Sequence, residues 1–73
     1  MSPALPVLSG AEVVRMLERA GFTRTGQRES HVKLRGGEGR VVIVPLHDAL
    51  ARGTFRSIIR QAGLSVDQFL ALR

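Results

Sequence analysis

The sequence contains no cysteine, tryptophan or tyrosine, only three phenylalanines, and a single lysine among its eleven cationic residues. Without cysteine there is no disulfide framework and no thiolate metal site, so a chain of this size must rely on secondary structure and packing. The aromatic residues Phe22, Phe55 and Phe69 all fall at apolar core or cap positions, which leaves little for stacking on exposed bases. No apolar run approaches the roughly 20 residues of a membrane span, and Met1 to Gly10 lacks the basic start and long apolar stretch of a signal peptide. A cytoplasmic protein with no membrane contact is expected.

What is present is a chain of 73 residues with a hydrophobic fraction of 44% and a formal charge of +5. That length leaves room for one domain with a modest core, since chains this short bury only about 60% of their unfolded surface. A partner that binds only the folded form would add stability. The positive field draws polyanions, nucleic acid first, although basic charge also serves solubility alone.

Pro3 and Pro6 make residues 1–8 a lead-in, so residues 9–73 are read as a single domain. Ser9 and Glu12 have capping-box spacing, flanked by Leu8 and Val13 as a hydrophobic staple. Val13, Leu17 and Ala20 then form an apolar stripe, and Gly21 supplies a left-handed stop, predicting a helix over Gly10–Ala20. From Phe22 the period changes to two. Thr23 and Thr25 flank Arg24 in a short strand that Gly26 breaks. A second strand runs Ser30–Arg35, with Val32 and Leu34 on one face and His31, Lys33 and Arg35 on the other.

Gly36–Gly39 forms the turn of a hairpin leading to a third strand, Arg40–Val44, which Pro45 ends. Leu46–Gly53 is a connection. Thr54 is expected to cap a helix with Phe55, Ile58, Ile59 and Ala62 on its stripe and Gly63 at its close. Ser65 and Gln68 form a second capping box, with Leu64 and Phe69 as its staple, for a short last helix. The predicted architecture is α+β, ordered α-β-β-β-α with a short extra C-terminal helix. Its three-stranded antiparallel sheet carries helices on one face. This order resembles the double-stranded-RNA-binding-domain fold.

Strand alternation aims His31 outward, where imidazole exchanges protons near neutral pH; the alternative is an ordinary surface histidine. Arg28, Lys33 and Arg35 are placed to hold a phosphodiester and take up charge on its oxygens, against the plainer reading of solvated strand charges. Metal-free RNA cleavage needs a base for the 2′-hydroxyl and an acid for the leaving 5′-oxygen. Ser30 and Thr25 are candidates to orient the reacting groups. His47 beside Asp48 offers a second acid or base, but turn stabilisation is the favoured reading. Neither the histidines nor the scattered carboxylates have zinc spacing, so no metal is expected, and Gly36–Gly39 lacks the lysine and helix of a phosphate loop. Arg52, Arg56 and Arg60 recur at helical spacing, as a phosphate-contacting surface or a solvated face.

Four ordered blocks carry a family resemblance: Gly21-Phe22, Gln27-Arg28-Glu29-Ser30-His31-Val32, Val44-Pro45-Leu46-His47, and the run from Gly53 to Ser65, Gly-Thr-Phe-Arg-Ser-Ile-Ile-Arg-Gln-Ala-Gly-Leu-Ser. Together they resemble the HicA family, the mRNA-interferase toxins of HicAB toxin-antitoxin pairs, over nearly the whole chain from Ser9. The resemblance implies a ribosome-independent endoribonuclease that needs no cofactor. It also implies mRNA as substrate, and a HicB-type antitoxin that covers the active face. His31 falls on the family's catalytic histidine, with Arg28, Ser30, Lys33 and Arg35 as RNA-binding residues around it. The family usually has glycine where this chain has Glu29, a substitution expected to weaken activity while leaving fold and antitoxin binding intact. A non-catalytic double-stranded-RNA-binding module and an attenuated antitoxin-binding protein are the competing readings.

Overall fold

The computed structural model describes residues 5–73, so the first half of the lead-in lies outside the described residues. Helix α1 (Gly10–Arg19) begins at the expected capping box. The Glu12 N–H donates to Ser9 Oγ at 3.1 Å, and the Ser9 N–H donates to Glu12 Oε1 at 3.1 Å. Leu8 and Val13 are both buried, completing the staple. Ala20 caps the helix and Gly21 follows with φ +96°, a conformation in which a Cβ is strained.

The sheet is antiparallel in the order β1 (Thr23–Arg28), β2 (His31–Arg35), β3 (Val41–Pro45). Three boundaries differ from the sequence reading. Gly26 does not break β1, because the register shifts between Arg24 and Gly26 and the extra residue, Thr25, is absorbed as a bulge. The strand therefore continues to Arg28, and Ser30 belongs to the turn rather than to β2. Pro45 remains within the ladder, opposite His31, so β3 is shifted one residue along from the expected Arg40–Val44. In the β2–β3 turn only Glu38 and Gly39 take positive φ, at 60° and 73°.

Helix α2 (Arg52–Ala62) starts earlier than Thr54, which lies inside its first turn and does not cap it. Ala51 occupies the cap without a side-chain bond, and its carbonyl accepts the Phe55 N–H at 2.9 Å. A contact distant in sequence explains the early start. Leu50 is buried and its N–H donates to Leu8 O at 2.8 Å, which turns the chain into helical geometry before Thr54 is reached. Gly63 ends α2 at φ 73°, as expected. Helix α3 (Val66–Leu70) has the predicted Ser65–Gln68 capping box.

Helices α1 and α2 pack on one side of the sheet. Val32 and Leu34 of β2 and Val42 and Val44 of β3 are fully buried beneath Val13, Leu17, Phe55 and Ile58. Phe55 and Phe69 meet edge to face at a centroid distance of 5.3 Å, which docks α3 on α2 and adds about 1 kcal/mol beyond area burial. Every β1 residue is exposed. At the opposite edge, Gln61 of α2 reaches β3 and its Oε1 accepts the outward Ile43 N–H at 3.3 Å.

Candidate RNA-cleaving face

With one face of the sheet covered by helices, alternation leaves His31, Lys33 and Arg35 exposed on the other. The bulge brings β1 into step with them. Arg28 pairs with His31, Gly26 with Lys33 and Thr23 with Arg35. Cross-strand partners in an antiparallel ladder have Cβ atoms about 5 Å apart, so Arg28 and His31 are immediate neighbours. Gly26 presents no side chain beside Lys33 and leaves the ammonium open to a ligand.

Arg28 and His31 flank a two-residue turn, Glu29-Ser30. Glu29 has φ 55°, left-handed geometry that glycine adopts freely and a side chain resists. The Glu29 carbonyl accepts from Gln27 Nε2 at 3.0 Å, which helps hold the turn. Ser30 is exposed at its crest, and its carbonyl accepts the Leu46 N–H at 2.7 Å. Thr25 is engaged otherwise: its Oγ1 donates to the Lys33 carbonyl at 3.4 Å, tying down the bulge.

The structure thus gathers Arg28, Ser30, His31, Lys33 and Arg35 on one face and at its rim. Arg56 and Arg60 lie elsewhere, over an open cleft of about 330 Å³ with Ile59, Leu64 and Ser65. A second cleft, of about 250 Å³, lies between Glu12, Arg15 and Arg19 of α1 and Arg73. Neither of these clefts includes His31, which lies with Lys33 and Arg35 on the exposed face of β2.

Sequence reasoning missed the placement of His47. The Leu46–Ser30 bond extends the β2–β3 ladder beyond Pro45, and the His47 carbonyl accepts the Gly10 N–H at 2.9 Å. The signal was masked by Pro45, which reads as a strand end. Among the described residues no cluster of three or more His, Cys, Asp or Glu side chains is arranged to hold a metal ion. No helix among them is long and apolar enough to cross a membrane.

A two-layer α+β domain with a cationic sheet face is the class these features define. Residues 10–64 match the family described as the HicA toxin of bacterial toxin-antitoxin systems, and the chain belongs to that family. An antitoxin partner follows from membership. No curated protein matches the chain.

Proposed function

We propose that this toxin is a metal-independent endoribonuclease that cleaves mRNA in the cytoplasm and is neutralised by a HicB-type antitoxin. His31 acts as general acid or base, while Arg28, Ser30, Lys33 and Arg35 hold the phosphodiester. The observation that carries the reading is the pairing of exposed His31 with Arg28 across the ladder. It sets a proton-transfer group beside a guanidinium, whose planar donors suit phosphate oxygens and offset the charge that builds on them during attack.

The decisive experiment expresses His31→Ala beside the parent chain without antitoxin. The parent is expected to arrest growth and degrade transcripts, and the variant to do neither at equal abundance. Equal toxicity of the two proteins overturns the reading.

Glu29 favours one qualification. A carboxylate at the rim of this face opposes phosphate approach, and a side chain at φ 55° strains the turn that presents His31. Glu29 thereby lowers the rate of the enzyme without altering its chemistry.

A further inference from the structure

Cleavage at a 2′-hydroxyl needs two proton transfers at opposite ends of the reacting phosphodiester, and one imidazole does not reach both at once. A second exposed histidine lies on the same face. Pro45 is the partner of His31 in the β2–β3 ladder. The next step is still paired, because the Leu46 N–H donates to Ser30 O at 2.7 Å. Leu46 turns toward the core and packs against it, and His47 follows exposed. His47 thus stands two residues beyond the position opposite His31. Residues on that diagonal lie about 7–8 Å apart at their backbones, a separation at which two imidazoles flank one phosphodiester.

The backbone of His47 is held from both sides. The ladder bond at Leu46 fixes it toward β2, and the Gly10 N–H donates to the His47 carbonyl at 2.9 Å from the start of α1. Gly10 is buried so closely against this segment that a Cβ there would collide with the Pro45 carbonyl oxygen. An exposed side chain on so constrained a backbone is pre-positioned for a ligand rather than for packing.

We infer that His47 is the second proton-transfer residue of the cleavage reaction, a step that rests on the endoribonuclease reading above. One neutral imidazole of the pair accepts the 2′-hydroxyl proton as O2′ bonds to phosphorus. The other, as imidazolium, donates its proton to O5′ as the P–O5′ bond breaks. The products are a 2′,3′-cyclic phosphate and a 5′-hydroxyl, and the protons balance within the pair. The charged groups about His31 are Arg28 of β1, Lys33 of β2 and Glu29 of the turn. About His47 they are Asp48 beside it in the chain and Glu29 one step along the ladder from the Leu46–Ser30 bond.

The test measures cleavage of a long single-stranded transcript from about pH 5 to pH 9 by the parent, His31→Ala and His47→Ala, with melting temperatures and product termini. The parent is expected to give a bell-shaped profile and cyclic-phosphate ends. His47→Ala is expected to lose one limb of the bell and to fall about 10²–10⁴-fold in kcat. Its KM and melting temperature should stay near parental, with partial rescue by added imidazole. A parental rate and profile for His47→Ala, beside an inactive His31→Ala, overturns the inference alone. So does a loss of rate that tracks a lower melting temperature with both limbs kept. Full activity of His31→Ala removes His31 from the reaction, and absence of cleavage by the parent overturns the endoribonuclease reading itself.

Discussion

Arg28 and His31 face each other across the β1–β2 ladder at the two ends of the Glu29-Ser30 turn. The pairing depends on the bulge at Thr25, since without the extra residue every β1 side chain after Arg24 would change faces. A guanidinium and an imidazole are thereby brought side by side on a surface where neither is needed for the core.

Removing the guanidinium tests that placement directly. Arg28→Ala should leave the melting temperature within a degree or two of the parent, because Arg28 is exposed on an exposed strand. Loss of one charge-assisted phosphate contact, about 1.5–3 kcal/mol, should lower kcat/KM for RNA by about 10- to 100-fold. Steady-state cleavage and thermal denaturation on the same preparations separate the two effects.

Glu29 combines two effects that substitutions can divide. Glu29→Gly removes both the left-handed strain and the carboxylate, so it should stabilise the fold by about 1 kcal/mol and also increase cleavage. Glu29→Gln removes the charge alone and should increase cleavage while leaving stability unchanged. If Gln reproduced the full stabilisation given by Gly, strain at this turn would not be its source. Urea denaturation beside RNA cleavage makes the distinction.

The α1 capping box confers a pH dependence of known sign. The hydrogen bond from the Ser9 N–H, reinforced by the Ser9 hydroxyl, holds the Glu12 carboxyl below its ordinary value of 4.5. A carboxyl depressed on folding contributes stability that is present above the unfolded pKa and lost as pH falls through the folded one. The urea midpoint of the parent should therefore fall more steeply below about pH 4.5 than that of Glu12→Gln, whose side chain also accepts in a capping box. Parallel curves for the two proteins would remove Glu12 from the acid response.

Phe69 joins the short last helix to the rest of the core. It is fully buried against Phe55, and Phe69→Ala should cost about 3–5 kcal/mol by leaving a cavity. Calorimetry should show one transition at a much lower temperature, since α3 shares the core with α1 and α2.

The alternation of His31, Val32, Lys33 and Leu34 was legible because a sheet covered on one side forces a period of two, and that pattern alone located the cationic face. The two capping boxes were equally legible, since their partners lie three residues apart. What escaped depends on contacts between distant residues. The bulge at Thr25 is a property of register with β2, and the early start of α2 follows from the Leu50–Leu8 bond. The placement of His47 comes from Ser30 and Gly10, far away in the chain, whereas neighbouring residues suggested only a turn.

The two margins of the sheet differ in what they permit. Gln61 already occupies the Ile43 amide on β3, whereas β1 is exposed along its whole length and carries Arg28 on the outward face. In an antiparallel pairing of two copies centred on Arg28, the two Arg28 side chains share the outward face and stand directly across the ladder, where like charges repel. The guanidinium that stands beside His31 therefore also opposes edge-to-edge pairing of two copies in that register.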